Sequence, residues 1–286
     1  MNPVITDDGL ALHLRVWPAG TPRRGLVVLV HGLGEHIDRY DHVAQRLSGL
    51  GFAVVGYDHR GHGRSPGPRG GMPSDDSLCA DLGRVLVAAR ASFPGPLVLL
   101  GHSLGGLIAG RFVAEGLQPK PATWWCPVDT LVMSSPALDP GTNAMQKLLL
   151  AVVAPMLPNL AVNNGLKVDW ISRDAGVVKA YAADPLVHDR ITGRLGLFVA
   201  RQGPAVIAAA PRWTTPTLLM WAGSDRCVSP LGSAAFAAGA PRGVVTVREW
   251  PGLFHEIFNE PEQGDVLKVL ADWLEAHVPE AAAVHS

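Results

Sequence analysis

A serine flanked by glycines stands directly after an apolar run. The segment GHSLGG, residues 101–106, follows PLVLL, residues 96–100. A glycine inside a helix lowers its stability by about 1 kcal/mol relative to alanine, so these glycines indicate a turn that has a use. Gly-x-Ser-x-Gly between a buried strand and a helix is typical of a nucleophile elbow, which exposes the hydroxyl of Ser103. A glycine-rich turn without chemistry is the alternative.

The elbow needs a base and an acid, because a serine hydroxyl is a poor nucleophile until its proton is removed. In such proteins the acid and then the histidine follow the serine along the chain. Asp225 lies in GSDRCV, in a short loop after a predicted strand, and His255 lies between the last predicted strand and the last predicted helix. We therefore predict that Ser103, Asp225 and His255 are the catalytic residues.

Other acids and histidines are less well placed for these roles, because they lie in a predicted insertion, in the C-terminal helix or tail, or in a glycine-rich loop that we expect to be internally hydrogen-bonded. They are Asp184, Asp189, His277, His285, His59 and His62. His102 directly precedes the serine, and we expect its side chain to point away from the elbow. The histidines show no spacing typical of metal ligands, so we predict no metal site and no cofactor.

The negative charge that develops on the substrate oxygen needs two N–H donors. Leu104, the residue after the nucleophile, supplies one of them. The segment HGLGEH, residues 31–36, follows a predicted strand, and Gly32 and Gly34 let the N–H of Leu33 turn inward. We predict an oxyanion hole formed by Leu33 and Leu104. For residues 31–36, a simple turn at the end of the strand is the alternative.

The elements that must position these residues follow from the apolar pattern. Short apolar runs predict strands at residues 25–31, 52–58, 96–102, 129–135, 216–222 and 243–250. Most of these runs are nearly continuous, as is typical of strands that are covered on both faces. The alternating residues 10–17 suit an antiparallel edge strand. Helices are predicted over residues 40–50, 76–93, 104–116, 230–240 and 261–278. This alternation predicts an α/β fold with a mostly parallel sheet flanked by helices, which brings the three catalytic residues to one edge.

Residues 137–211 interrupt the alternation with several helical segments. We therefore predict a helical cap, inserted into a core of residues 1–136 and 212–286 and lying over the carboxyl edge of the sheet. The first segment presents an apolar face that includes Leu149, Val153 and Leu157. Ordinary helices packed on the sheet are the alternative.

Composition excludes some functions. With 17% charged residues and a net charge of -1, the chain favours neither nucleic acid nor an anionic membrane as its main partner. Three cysteines, an odd number, argue against a disulfide framework and fit a reducing compartment. We find no signal-peptide pattern and no apolar stretch long enough to span a bilayer, so we expect a cytoplasmic protein.

Five segments together resemble the monoacylglycerol lipase and lysophospholipase-like family of the α/β-hydrolase fold. They are HGLGEHIDRY, YDHRGHGRSPGPRG, GHSLGG, GSDRCV and FHEIFNE. The resemblance implies a triad and an oxyanion hole made of the residues predicted above, and a cap that forms an apolar tunnel for one acyl chain, where Leu149, Val153 and Leu157 would lie. It also implies that Glu35 and Arg39 hydrogen-bond a glycerol head group. Phe258 stands where some relatives carry a second histidine, a departure that bears on head-group selectivity.

The resemblance implies hydrolysis of esters of single-acyl lipids, with monoacylglycerol as the first expectation. A lysophospholipase or a broad carboxylesterase or thioesterase is the alternative within hydrolases. A non-catalytic lipid-binding protein on the same scaffold is the alternative from another class. We expect a small-molecule acyl ester as the partner, no nucleic acid, and transient contact of the cap with a membrane or lipid droplet. The sequence makes no prediction about oligomeric state.

Overall fold

The computed structural model describes residues 1–18, 24–141, 151–152 and 154–279. Its strands in chain order are β1 (Val4–Ile5), β2 (Ala11–Leu12), β3 (Leu14–Trp17), β4 (Gly25–Val30), β5 (Phe52–Tyr57), β6 (Leu97–His102), β7 (Thr130–Ser134), β8 (Ala161–Asn163), β9 (Arg190–Thr192), β10 (Thr217–Ala222) and β11 (Val245–Trp250). The central seven-stranded sheet has the order β11-β10-β7-β6-β4-β5-β3. Neighbouring strands are parallel except β3, which is antiparallel to β5 at the edge. The prediction of a mostly parallel sheet is confirmed.

The central strands are buried because their sequences offer apolar side chains to both faces of the sheet. Every residue of β4, β5, β6, β7 and β10 is buried. In β4, Val27 and Leu29 belong to the core on one face, whereas Val28 and Val30 belong to the core on the other. The parallel register pairs Val30 with Gly101. The segments that follow β4 and β6 therefore leave the sheet at the same edge.

Helices cover both faces, as predicted. They are α1 (Asp41–Gly49), α2 (Ser77–Ser92), α3 (Leu104–Glu115), α4 (Ala175–Ala183), α5 (Gly193–Ala209), α6 (Pro230–Gly239) and α7 (Gln263–His277). Helices α1 and α7 contribute to one core, and α2, α3, α5 and α6 contribute to the other. Helices α1, α2, α3, α6 and α7 agree with the predicted ranges to within two residues at each end.

The predicted edge strand over residues 10–17 is divided in two. Its first part, β2, pairs with β1 in a separate antiparallel hairpin, and its second part, β3, joins the sheet through β5. Val4 and Leu12 of the hairpin are buried in the same core as α2. The hairpin therefore folds back over that helix, which explains why the alternating pattern continues through both parts.

The region of the predicted cap contains helices α4 and α5, which lie on helical segments that the sequence predicts, and a strand pair that it does not predict. Strands β8 and β9 form an antiparallel pair, and α5 packs Phe198 and Val206 into the core that also contains α3. Leu149 and Val153 lie outside the described residues, and Leu157 is 51% exposed. The division of the chain at residues 137 and 211 stays a prediction. Among the residues that the structure describes, no helix is long and apolar enough to cross a membrane.

Candidate active site

Ser103 lies at the sharp turn between β6 and α3, with φ 54° and ψ -119°. This left-handed conformation is strained for a residue with a side chain and persists only where the surroundings enforce it. A Cβ atom at Gly101 would lie 2.2 Å from the carbonyl oxygen of Gly105, and one at Gly105 would lie 2.1 Å from that of Val30. Both positions therefore need glycine. The strand, turn and helix predicted around Ser103 are present.

The three predicted catalytic residues come together at the carboxyl edge of the sheet. His255 Nε2 lies 2.8 Å from Ser103 Oγ, and His255 Nδ1 lies 2.7 Å from Asp225 Oδ2. The other oxygen of Asp225 accepts hydrogen bonds from the backbone N–H groups of Cys227 and Val228, at 2.8 and 3.1 Å. Asp225 follows β10 and His255 follows β11, so two neighbouring strands deliver the acid and the base. The arrangement can carry a proton from the serine to a charge-stabilised imidazole.

The surroundings of His255 favour its protonated form. Burial alone acts to lower the pKa of this imidazole, but the charge and hydrogen bond of Asp225, together with the charges of Glu256 and Glu35, more than offset it. The pKa of His255 is therefore raised above its usual value. A base with a raised pKa holds the serine proton more firmly once it has taken it.

His102 packs against the catalytic histidine rather than pointing away from the elbow, in contrast to the sequence expectation. Its ring centroid lies 4.8 Å from that of His255, and its Nδ1 lies 3.1 Å from Ser134 Oγ. Burial, followed by the charge of His255, lowers the pKa of His102 to about 3. A neutral ring at this place supports His255 by packing without repelling its positive form.

The predicted oxyanion donors lie on the two loops next to Ser103. Gly32, Leu33 and Ser103 line one cavity, and a Cβ atom at Gly32 would lie 3.2 Å from the Cβ atom of Ser103. Leu104 is the first residue of α3. Neither amide N–H, of Leu33 or of Leu104, donates a hydrogen bond to another of the described residues. Both are therefore available to a developing oxyanion.

Glu35 stabilises the oxyanion loop, residues 31–36, through hydrogen bonds of its carboxylate. Its Oε1 accepts from the Gly32 N–H at 2.6 Å and from the Tyr40 hydroxyl at 2.7 Å, and its Oε2 accepts from Arg39 at 2.6 Å. Glu35 is buried and lines the cavity. The contact of Glu35 and Arg39 with a glycerol head group stays a prediction, and in the structure their polar atoms already bind other protein groups.

The cavity above Ser103 has a volume of about 340 Å³. Its far wall comes from the segment between β8 and β9. Apolar side chains of that wall are Leu166, Val168, Ile171 and Val187, and polar ones are Asn164, Lys167, Asp184 and Asp189. Leu157 is not among the described residues that line this cavity, so its contact with an acyl chain stays a prediction. The sequence did not predict these residues as part of the cavity wall.

Two parts of that wall are joined to the catalytic loops by hydrogen bonds. The His188 N–H donates to the Gly34 carbonyl at 2.8 Å, and the Glu256 N–H donates to the Ile171 carbonyl at 2.8 Å. His36 Nε2 also lies 2.8 Å from Asp184 Oδ2. These contacts hold the segment of residues 164–192 against the loops on both sides of Ser103.

Three buried histidines and a half-buried one pack together next to the oxyanion loop, and we call His31, His59, His62 and His188 the histidine cluster. The ring centroids of His31 and His59 lie 4.2 Å apart, and those of His62 and His188 lie 4.5 Å apart. Burial lowers the pKa of His31 to about 3 and that of His188 to about 4, and it holds those of His59 and His62 well below their usual value. The cluster is therefore neutral at physiological pH.

A carboxylate, a thiol and an imidazole could offer ligands to a metal ion, since their ligand atoms lie within 4.8 Å of one another. These groups belong to Asp225, Cys227 and His255. Burial raises the pKa of the Cys227 thiol, whereas a thiol must lose its proton to bind a metal. Both ring nitrogens of His255 already lie at hydrogen-bond distance from Asp225 and Ser103. The donor set thus suits a proton relay better than a metal centre.

Comparison with known proteins places these features in a family. The family model described as Hydrolase_4, serine aminopeptidase, S33, matches residues 21–262. A monoacylglycerol lipase of Mycolicibacterium smegmatis is 35% identical over 277 residues, which cover 94% of this chain and 95% of the relative. A monoglyceride lipase of Rattus norvegicus is 30% identical over 285 residues, with 98% and 92% coverage.

A solved structure agrees with these relatives. The crystal structure of Paleococcus ferrophilus monoacylglycerol lipase has a TM-score of 0.80 and 36% identity, and the alignment covers 93% of this chain and 99% of that one. The strand order, the elbow at the end of β6 and the acid and histidine after β10 and β11 follow the same fold plan. This chain therefore belongs to the Hydrolase_4 family of hydrolases and has the α/β-hydrolase fold.

Proposed function

We propose that the chain is a serine ester hydrolase that cleaves single-acyl lipids, converting monoacylglycerol to glycerol and a free fatty acid. The observation that carries this proposal is the pair of distances at His255, 2.8 Å to Ser103 Oγ and 2.7 Å to Asp225 Oδ2. Such a relay makes a serine hydroxyl nucleophilic at neutral pH.

The first half of the reaction forms an ester between Ser103 and the acyl chain. Ser103 Oγ attacks the carbonyl carbon of the substrate while His255 Nε2 takes the hydroxyl proton, and Asp225 stabilises the resulting imidazolium. The oxygen of the carbonyl gains negative charge and accepts hydrogen bonds from the N–H groups of Leu33 and Leu104. One such donor contributes roughly 3 kcal/mol to the transition state. The carbon–oxygen bond to glycerol then breaks, and His255 returns its proton to the glycerol oxygen.

The second half releases the acid. Water attacks the acyl carbon, His255 takes one of its protons, and the same two amides hold the oxyanion. The bond to Ser103 Oγ breaks, His255 protonates that oxygen, and the fatty acid leaves. Every proton is carried by the imidazole, so the proposal requires no cofactor and no metal ion.

Monoacylglycerol is favoured as the substrate by the relatives and by the cavity. Proteins named monoacylglycerol lipase or monoglyceride lipase match at 30 to 36% identity over more than nine-tenths of this chain. The cavity offers an apolar wall beside polar groups close to Ser103. An acyl chain would pack on the first and a glycerol head group would meet the second.

Replacement of the nucleophile tests the proposal. We expect Ser103→Ala to abolish turnover of monoacylglycerol and of a short p-nitrophenyl ester, and to abolish labelling by a fluorophosphonate probe. Ser92→Ala, at the end of α2, serves as the control and keeps both. Turnover that persists in Ser103→Ala refutes the assignment, and a wild type that fails to react with the probe favours a binding protein.

A substrate panel separates the proposal from its alternatives. Wild-type rates are compared for monoacylglycerol, lysophosphatidylcholine, acyl-CoA and short aryl esters. Preference for lysophosphatidylcholine supports a lysophospholipase, and similar rates on all esters support a broad carboxylesterase or thioesterase. Preference for monoacylglycerol supports the proposal.

We also propose that the protein is cytoplasmic and that the predicted cap touches a lipid surface while the substrate enters. Large apolar side chains of this region are exposed: Val152, Met156, Leu157, Leu160, Val162 and Leu166. Exposed apolar side chains that lie close together favour contact with lipid. Flotation with neutral liposomes checks this proposal, and protein that stays entirely in the aqueous fraction counts against it.

A further inference from the structure

Arg39 lies between two acidic side chains that belong to different catalytic loops. Its Nη1 donates to Glu35 Oε2 at 2.6 Å and to Glu256 Oε1 at 2.7 Å, and its Nη2 donates to Glu256 Oε2 at 2.7 Å. The side chains are 11% exposed for Arg39, 4% for Glu35 and 6% for Glu256. We call these three residues the carboxylate–arginine cluster. The double contact with Glu256 is the fork geometry that only a guanidinium can supply.

Each carboxylate is fixed to the loop that it serves. Glu35 binds the Gly32 N–H, next to the predicted oxyanion donor Leu33. Glu256 directly follows His255 in the chain, its N–H donates to the Ile171 carbonyl, and its Oε2 accepts from Asn259 Nδ2 at 2.8 Å. A movement of Arg39 would therefore displace both the oxyanion loop and the loop of His255.

We propose that Arg39 and Glu256 are positioning residues, which join the oxyanion loop to the loop of His255 and so set the distance between the oxyanion donors and the base. The inference rests on the function proposed above. It differs from what the resemblance implies for Arg39, because both terminal nitrogens already donate to carboxylates and the guanidinium carbon lies 4.6 Å from the ring centre of Tyr181. A head group would have to displace one of these contacts.

Two substrates distinguish a positioning role from binding of the head group. Arg39→Lys keeps the positive charge and removes the fork, and Glu256→Gln keeps the shape and removes the charge. We expect each variant to lower kcat roughly 10- to 100-fold, since a displacement of about 1 Å at reacting groups costs about that much. We expect the same factor for monoacylglycerol and for a p-nitrophenyl ester, which has no glycerol, with KM unchanged.

A glutamate from the same region supplies the control. Glu262 binds Arg173 at the surface, so Glu262→Gln removes a carboxylate without touching the cluster. We expect this variant to keep the wild-type kcat. A rise in KM for monoacylglycerol alone, with unchanged turnover of the p-nitrophenyl ester, would overturn the inference and make Arg39 a ligand of the head group.

The pH profile adds a readout that a merely structural role would not move. The charged and titratable groups near His255 are Asp225, Glu256, Glu35, Arg39, His102 and Cys227. A charge a few ångströms away shifts a pKa by about 1 unit or more. The charge of Arg39 offsets part of the effect of Glu256 on the pKa of His255. We therefore expect Glu256→Gln to move the acid limb of the kcat/KM profile to lower pH by about half a unit. Glu256→Asp keeps the charge but shortens the side chain, so it should lower kcat and leave the limb in place.

The outcomes also separate this inference from the proposed function. Melting temperatures of all variants are measured first, and Arg39→Lys carries the test if Glu256→Gln does not fold. Wild-type kcat in both Arg39→Lys and Glu256→Gln overturns the positioning role while leaving the function intact. If the wild type hydrolyses neither ester, the proposed function itself fails, whatever the variants do.

Discussion

Two polar clusters contact the oxyanion loop at Gly32, and they are stabilised in different ways. The histidine cluster is neutral, and those of its ring nitrogens that are hydrogen-bonded use backbone atoms: His31 Nδ1 lies 2.8 Å from the Gly32 carbonyl, and His59 Nε2 lies 2.9 Å from the His31 carbonyl. His59 Nδ1 and His62 Nε2 are buried without a hydrogen-bond partner among the described residues. The carboxylate–arginine cluster is charged, and its contacts join Arg39 to Glu35, four positions away, and to Glu256, 217 positions away. The histidine cluster thus depends on its imidazoles staying unprotonated, and the carboxylate–arginine cluster depends on one guanidinium that two carboxylates share. Burial raises the pKa of Glu35 in this second cluster.

This difference shows how buried polar groups can be accommodated beside an active site. A neutral imidazole needs a hydrogen bond but no partner of opposite charge, so a fall in pH, which favours its protonation, destabilises it. A buried carboxylate needs a cation, so removal of that cation destabilises the folded state. The histidine cluster and the carboxylate–arginine cluster should therefore be destabilised by different changes, and each loss of stability can be measured separately.

The largest expected effect is acid destabilisation caused by the histidine cluster. In the unfolded chain these histidines take up protons below about pH 6.5, whereas in the folded state they stay neutral to much lower pH, so stability falls as the pH falls. Each fully buried member lowers the free energy of unfolding by about 1.6 kcal/mol between pH 6.5 and 5, or about 5 kcal/mol for His31, His59 and His62 together. Urea unfolding at several pH values measures this loss.

One variant isolates the source of that loss. His62→Asn keeps a donor for the Arg60 carbonyl, which His62 Nδ1 now contacts at 3.0 Å, but it cannot take up a proton. We expect the dependence of stability on pH to become shallower by about one proton between pH 6.5 and 5. An unchanged slope in this variant would show that His62 does not contribute to the loss.

The next effect concerns the carboxylate–arginine cluster. Arg39→Met leaves Glu35 and Glu256 buried without a cation, and removal of one partner from a buried ion pair lowers the free energy of unfolding by about 3 to 5 kcal/mol. Arg190→Met removes an arginine that is half exposed and paired with Asp189, where a loss below about 1 kcal/mol is expected. Chemical unfolding at pH 7 compares the two. Equal losses would mean that the cluster is no more stabilising than a surface pair.

The smallest effect concerns Gly34 in the oxyanion loop, which contacts His188 of the histidine cluster. Its φ is +77°, and a Cβ atom there would lie 2.3 Å from the carbonyl oxygen of His188. Gly252, with φ +89° and no atom within 4 Å of such a Cβ, offers a matched control. A left-handed backbone conformation costs a non-glycine residue about 1 to 2 kcal/mol. We therefore expect Gly252→Ala to lower the free energy of unfolding by that amount, and Gly34→Ala to lower it further. Thermal melts of both variants measure the difference, and equal losses would show that the His188 contact yields without strain.

Much of the fold and part of the site could be predicted because their signals are local. The glycines around Ser103, the apolar run before it and the order of Asp225 and His255 are all readable along the chain. Arg39 and Glu256 are separated by 217 positions, and nothing near either residue indicates that they meet. The ring contacts of His62 with His188 likewise depend on how the segment of residues 164–192 docks, which no periodicity reveals. The division of residues 10–17 was missed because both parts alternate alike.

The anchors between that segment and the catalytic loops also decide which pieces of the molecule can be exchanged between relatives. Residues 154–163 carry none of the bonds to Gly34, His36 or Glu256, so a chimera that swaps only this stretch keeps the donor loop and the base in register. A chimera that swaps everything up to residue 192 keeps the contact with His36 only if the incoming segment carries an acid at position 184, and it keeps the two backbone bonds only if that segment docks in the same way. Transplanting substrate preference in this enzyme is therefore a matter of choosing where to cut.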